Sequence, residues 1–144
     1  MGKDALIVGA GIGGLTAAHA LGQAGWTCQV VEQAAELTEV GAGLQLSPNA
    51  TRILRRLGLL DAVQRVAFEP EAATLRDGIT GQTYMYAPLK GFCQKVYGAP
   101  YLHVARPDLQ AALRPGIDVQ LGTRVAAYDP TQFTVGADGL RSAL

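Results

Sequence analysis

The sequence has no excess of either charge: 12 lysines and arginines balance 12 aspartates and glutamates in 144 residues. Zero net charge argues against a general nucleic-acid binder and against a protein held on an anionic membrane. Cysteine is scarce. Cys28 and Cys93 are the only two, too few for a disulfide framework and without metal-site spacing, so both read as reduced thiols of a cytoplasmic protein with no metal. An uninterrupted apolar helix is missing as well. The apolar stretch from Ala5 to Leu21 follows Lys3, and Ala18-His19-Ala20 imitates a signal-peptidase site. Gly9, Gly11, Gly13 and Gly14 nevertheless break the helix that a signal or a membrane span would need. Met1-Gly2 matches a myristoylation start, but Leu6 stands where serine or threonine is required. There is no internal repeat, low-complexity tract or heptad pattern.

What is present is a chain of single-domain length with 49% apolar residues, enough to bury a real core and to exclude a disordered chain. The 18 glycines exceed ordinary usage and cluster, which marks places where backbone approaches something closely. Residues 5–8 form a continuous apolar run, expected of a strand buried on both faces. Residues 15–24 read as an alanine-rich helix stopped at Gly25, and residues 28–31 as a second strand closed by Glu32. Strand, turn, helix and strand fit within one βαβ unit.

Further on, Ser47-Pro48 opens a helix whose apolar stripe is Ile53, Leu54 and Leu57, ended by Gly58. Residues 59–66 read as a further short helix. Residues 73–76 and 83–86 are expected as strands around Asp77-Gly78 and Thr80-Gly81. Residues 101–105 read as a strand, Arg106-Pro107-Asp108 as the start of a helix to Leu113, and residues 133–137 as a last strand. Ile117, Val119 and Leu121 alternate with polar residues, as in a half-buried strand.

Gly9-Ala-Gly11-Ile-Gly13-Gly14 satisfies the G-x-G-x-x-G pattern and stands where it should, between a strand and a helix. Gly9 permits the tight turn, Gly11 lets backbone approach a pyrophosphate, and Gly14 lets the helix pack on the sheet. The helix then aims its free N–H groups at the phosphates. Glu32, at the end of the second strand, can accept from the adenosine ribose hydroxyls and would repel a 2′-phosphate. This unit binds the ADP half of a dinucleotide but does not by itself separate NAD from FAD.

Four segments together resemble the flavin-dependent aromatic hydroxylases, the class A flavoprotein monooxygenases. They are the Gly9–Gly14 turn; Glu32-Gln33 followed by Gly41-Ala-Gly-Leu-Gln-Leu-Ser-Pro-Asn49; Tyr97-Gly-Ala-Pro-Tyr101 leading to Arg106-Pro-Asp-Leu109; and Gly136-Ala-Asp-Gly-Leu-Arg-Ser142. The branch most similar is that of salicylate hydroxylase and 6-hydroxynicotinate 3-monooxygenase. The resemblance implies an α/β fold: a Rossmann-like FAD-binding domain over residues 1–144, with a parallel sheet and additional short β elements. It implies FAD as cofactor and NAD(P)H as co-substrate. The reaction it implies is hydroxylation of a small aromatic acid or phenol by O2 through a flavin hydroperoxide. By residue, it puts Glu32, Gln33 and Val125 at the adenosine end, Gly43 and Gln45 on the flavin side, Arg106 at the ribityl–pyrophosphate region, and Asp138 at the pyrophosphate with a tie to NAD(P)H use. An arginine fork and fixed N–H donors are what a diphosphate requires.

Against that family the chain is short. It lacks a second glycine–aspartate motif, the sheet that roofs the substrate pocket and the C-terminal helices, and it is compressed at Arg114-Pro115-Gly116 and between Tyr128 and Phe133. It therefore reads as an N-terminal, internally shortened portion in which no catalytic base can be named. Two other readings stand beside the monooxygenase: an NAD-dependent dehydrogenase and a non-catalytic dinucleotide-binding module. His19 is expected on a helix surface, His103 in a strand without a catalytic role, and Tyr84 and Tyr86 on one side of a strand. Arg52, Arg55 and Arg56 read as a solvated helix face rather than a nucleic-acid patch.

Overall fold

The computed structural model describes residues 3–37, 41–127, 129–140 and 142. Met1-Gly2, Tyr128 and Arg141 of the Gly136–Ser142 segment lie outside the described residues. In chain order the elements are β1 (Lys3–Val8), α1 (Ile12–Gln23), β2 (Trp26–Val31), β3 (Gly43–Leu46), α2 (Pro48–Arg56), α3 (Leu60–Gln64), β4 (Ala72–Arg76), β5 (Thr83–Pro88), α4 (Phe92–Tyr97), β6 (Leu102–Ala105), α5 (Arg106–Leu113), β7 (Val119–Gln120) and β8 (Thr134–Gly136). They fall into two compact units, residues 1–40 with 109–144, and residues 41–108.

The first unit is built on a parallel four-stranded sheet in the order β7-β2-β1-β8. Ile7 pairs with Val30 and Val135, and Val31 with Gln120. The chain leaves β1 for β2 on one side, while β8 occupies the other. The carboxyl end of β1 is thus a topological switch point, the position at which open α/β sheets leave a ligand crevice. Ile7, Val30, Leu15, Leu109 and Leu113 are almost fully buried, and each large aliphatic side chain removed from water contributes roughly 1.5–3 kcal/mol. The α/β class with a parallel sheet and extra short β pairs is the one expected.

Three details differ from expectation. Helix α1 begins at Ile12, three residues early, so Gly13 and Gly14 lie in its first turn; at Gly14 close packing on the Gly9 carbonyl overrides the poor helix propensity of glycine. The alternating stretch at 117–121 is a strand only at Val119–Gln120: the Ile117 N–H turns back to the Arg114 carbonyl, and past the strand Gly122 and Thr123 donate to the carbonyls of Ala34 and Glu32. His19 is not a plain surface residue. Its Nε2 lies 2.7 Å from the Leu113 carbonyl oxygen at the end of α5, 94 residues away. Cys28 is half-buried on β2, and burial pushes its thiol up from the ordinary value.

The second unit holds two antiparallel pairs, β3 with β6 and β4 with β5. Helix α2 opens after Ser47 with Pro48 at its first position, as expected, but the Ser47 hydroxyl donates to the Asn49 side chain rather than to the helix backbone. Leu54 is buried and Leu57 half-buried, whereas Ile53 is 50% exposed, so the apolar stripe is narrower than the sequence implied. Helix α4 was not anticipated. It ends at Gly98, which takes the left-handed conformation that stops a helix. The arginines of α2 are exposed, yet Arg55 is not merely solvated: it donates to the Gly98 carbonyl and, at 3.0 Å, to the Gln94 side chain. Among the described residues no helix is long and apolar enough to cross a membrane.

Candidate functional site

The Gly9–Gly14 turn leaves the end of β1 held on both sides. The Gly9 N–H donates to the Val31 carbonyl and the Ala137 N–H to the Val8 carbonyl, both at 2.8 Å. The four glycines then divide by what surrounds them. Gly9 has φ +103°, and a Cβ there would lie 2.4 Å from the Ala137 oxygen; a Cβ on Gly14 would lie 1.8 Å from the Gly9 oxygen. These two are needed for the chain to pack against itself. At Gly11 and Gly13 an added Cβ would meet nothing within 4 Å. Their bareness serves no internal packing, and it leaves the turn open to close approach from outside. Gly11 is the N-cap of α1, and no side chain caps the helix. The first-turn N–H groups therefore keep their donor capacity and the positive end of the helix dipole.

Glu32 stands directly after β2. Its Oε2 accepts the Ala10 N–H at 2.9 Å and its Oε1 accepts the Ala34 N–H at 3.0 Å. The acid thus ties the glycine turn to the end of the second strand. Each carboxylate oxygen has further acceptor capacity, enough for a ribose hydroxyl. The Glu32 carbonyl takes the Thr123 N–H at 2.8 Å, which brings the segment leading to half-buried Val125 up to the end of β2. Gln33 is exposed beside Glu32. Asp138 is half-buried, and its backbone nitrogen would be 3.0 Å from a Cβ on Gly9. Gly9, Gly11, Gly13, Gly14, Glu32, Gln33, Val125 and Asp138 all belong to the first unit.

The sequence reading missed one member of this group. Gln110, on α5 and only 6% exposed, donates through Nε2 to the Ala10 carbonyl at 3.0 Å. A polar residue between the buried leucines 109 and 113 is the only trace it leaves in the sequence. In one chain, that is no different from the edge of an amphipathic face.

Gly43, Gln45 and Arg106 belong to the second unit. Gly43 pairs with Ala105 and Gln45 with His103 across β3 and β6. Arg106 follows immediately as the first residue of α5. Its Cδ would be 3.0 Å from a Cβ on Gly41, so the arginine stem lies against the glycine loop. Gln45 is exposed, and its Oε1 accepts the Tyr101 hydroxyl at 2.8 Å. Beside Gly43 runs an open groove of about 440 Å3, lined among others by Arg65, Phe68, His103 and Val104. His103 and Phe68 exchange backbone hydrogen bonds at 2.7 Å. Neither Arg65 nor Phe68 was expected at this place from the sequence.

A switch-point turn with two open glycines, an uncapped helix and an acid at the end of the second strand is the arrangement of a dinucleotide-binding α/β protein. Within the first unit, the backbone N–H groups at the start of α1 are donors of the kind a diphosphate requires. The chain belongs to the FAD-binding domain family, whose profile matches residues 3–138. FAD, rather than NAD, is therefore the dinucleotide of this site.

The relatives agree. The chain is 35% identical over 157 aligned residues to the 3-amino-4-hydroxybenzoate 2-monooxygenase of Streptomyces cremeus, covering 96% of this chain and 40% of that protein. It is 41% identical over 107 residues to the 6-hydroxynicotinate 3-monooxygenase of Pseudomonas fluorescens, covering 74% of this chain and 28% of that protein. Among solved structures, that of Klebsiella pneumoniae HpxO complexed with FAD and uric acid matches 98% of this chain and 40% of its own, with a TM-score of 0.85 at 28% identity. The chain thus spans about 40% or less of the length of these relatives.

Proposed function

We propose that this chain serves a flavin-dependent monooxygenase that hydroxylates a small aromatic acid or phenol, using O2 and NAD(P)H as co-substrates. The observation that carries the reading is the division of the turn glycines. Gly9 and Gly14 are consumed by packing, whereas Gly11 and Gly13 stay open beside an uncapped helix. The substrate class rests on the relatives, whose names specify a hydroxylated benzoate and a hydroxylated nicotinate.

In this reading the N–H groups at the start of α1 donate to the pyrophosphate and Asp138 helps to hold it, while Glu32 accepts from the ribose and Gln33 and Val125 flank the adenosine. Arg106 brings its guanidinium to the ribityl–pyrophosphate region, and Gly43 and Gln45 border the flavin ring. Tyr101 holds the Gln45 amide by its oxygen, leaving the amide N–H groups to donate. Bound FAD supplies hydride acceptance and activation of O2, and the protein's share is binding, orientation and exclusion of water.

The alternative to this reading is a dinucleotide-binding module without turnover. The first test is the visible absorbance spectrum of the purified protein with added FAD. Oxidised-flavin bands that stay with the protein and are released as FAD on denaturation support the cofactor site; a protein that takes up no FAD overturns it. Oxidation of NAD(P)H with O2 uptake and a hydroxylated product, across a panel of aromatic acids, separates the enzyme from the module.

A further inference from the structure

We infer that Gln110 is a positioning residue for the cofactor's phosphates, acting through the Ala10–Gly11 peptide; this rests on the FAD-site reading above. Ala10 is fully buried and its backbone is gripped from two directions. Its N–H goes to Glu32 Oε2 at 2.9 Å, and its carbonyl accepts from Gln110 Nε2 at 3.0 Å. Glu32 therefore fixes the peptide before Ala10, and Gln110 the peptide after it. That second peptide carries the Gly11 N–H. There are no cis peptide bonds among the described residues, and in a trans peptide the N–H points opposite to the carbonyl. By taking the carbonyl on the buried side, Gln110 turns the Gly11 N–H the other way, at a position where an added Cβ would meet nothing within 4 Å.

No other grip on this carbonyl is available from secondary structure. Gly11 is the N-cap, extended at φ −70° and ψ −178°, so Ala10 precedes the helix and its carbonyl takes no part in the helical ladder. Glycine at 11 has the freedom to let the peptide rotate. Gln110 removes that freedom from outside the turn, so that glycine can stay where the ligand needs it bare. A glutamine suits the task because its amide donates without bringing a charge next to the phosphates.

The test compares the 144-residue wild type with Gln110→Met, which keeps the length and apolar stem but cannot donate. Affinities are measured for adenosine, ADP and FAD. The expected result is a loss of about tenfold or more for ADP and FAD, with adenosine unchanged, since adenosine has no phosphate for the Gly11 N–H to meet. Equal affinity of both proteins for ADP, or an equal loss for ADP and adenosine, overturns the inference. Should Gln110→Met not fold, 15N spectra of the wild type decide. Gln110 side-chain amide protons protected from exchange, and a Gly11 amide that moves with ADP but not with adenosine, support it; unprotected protons or a still Gly11 amide overturn it. A wild type that binds neither ADP nor FAD overturns both this inference and the cofactor reading, whereas a binding wild type with an indifferent Gln110→Met overturns this inference alone.

Discussion

The Cβ that Gly14 lacks would lie 1.8 Å from the carbonyl oxygen of Gly9. Helix α1 can approach the end of β1 this closely only because residue 14 has no side chain. A methyl there meets backbone on a buried turn, so the helix must shift away from the sheet. Gly14→Ala is expected to cost roughly 3 kcal/mol, a fall in Tm of roughly 6–12 °C for a domain of this size. Gly11→Ala is the matched control. Its φ of −70° suits alanine and its surroundings are open, so Tm should hold while FAD affinity falls about tenfold from the lost phosphate approach. Thermal melts and flavin titrations of the two variants check the pair.

Glu32 combines two tasks that substitutions can separate. As an acceptor for the Ala10 and Ala34 N–H groups it organises the turn. As a carboxylate it would, in the proposed reading, accept from the ribose and disfavour a 2′-phosphate. Glu32→Ala leaves both N–H groups without their partner and should cost about 1–3 kcal/mol, read as a lower Tm. Glu32→Gln keeps one acceptor oxygen and removes the charge, so stability should change less. The ratio of 2′-phospho-ADP to ADP affinity should rise for Glu32→Gln, measured by calorimetry. An unchanged ratio would mean that the carboxylate does not face the 2′ position.

The βαβ unit was legible because its signals are local: an apolar run, a glycine turn, an alanine-rich stretch and an acid at the right distance. The class of fold followed from them, whereas the family followed from the resemblance of four segments spread along the chain. What was not legible depends on contacts far apart in the chain. Gln110 reaches Ala10 across 100 residues and His19 reaches Leu113 across 94, and no pattern within either segment announces a partner. Helix α4 was missed because its six residues, Phe92–Tyr97, are too few for a period to declare itself. The strand expected at 117–121 is shorter because the Ile117 N–H turns back to the Arg114 carbonyl and the chain past Gln120 turns so that Gly122 and Thr123 donate to the Ala34 and Glu32 carbonyls, contacts that outweigh alternation.

In the second unit Thr51 carries a tie of the same long-range kind. It is fully buried on α2, and its Oγ1 donates to the Pro100 carbonyl at 2.7 Å. This bond pins the chain just before Tyr101, whose hydroxyl in turn holds Gln45. Thr51→Val preserves shape and removes the donor, leaving a buried carbonyl unpaired at a cost of about 1–3 kcal/mol. Thr51→Ser keeps the donor and loses one methyl, about 1 kcal/mol or less. The valine variant is therefore expected to melt lower than the serine variant. The reverse order would mean that packing, not the hydrogen bond, dominates at this site.

The hairpin of β4 and β5 carries a pH-dependent lock. Asp77 accepts the Thr80 backbone N–H at 2.6 Å, the Tyr84 hydroxyl at 2.8 Å, and the Thr80 hydroxyl and Ile79 N–H, each at 2.9 Å. These donors hold its carboxyl far below the usual aspartate range, and the hydrogen bond to Asp77 holds the Tyr84 phenol above its ordinary value. The signs follow from linkage. A depressed carboxyl contributes stability that is present above its unfolded pKa and lost as pH falls through the folded one. A raised phenol contributes stability that is present below its unfolded pKa and lost as pH rises through the folded one. The turn should therefore be firm through the neutral range and loosen at both extremes, visible as faster exchange of the Gly81 amide, which donates to the Asp77 carbonyl at 3.0 Å. Asp77→Asn removes the charge that the Tyr84 proton would have to leave beside. The ultraviolet titration of Tyr84 should then move down toward that of an ordinary tyrosine, and a titration that stays in place would show that the phenol is not bonded to Asp77 in solution.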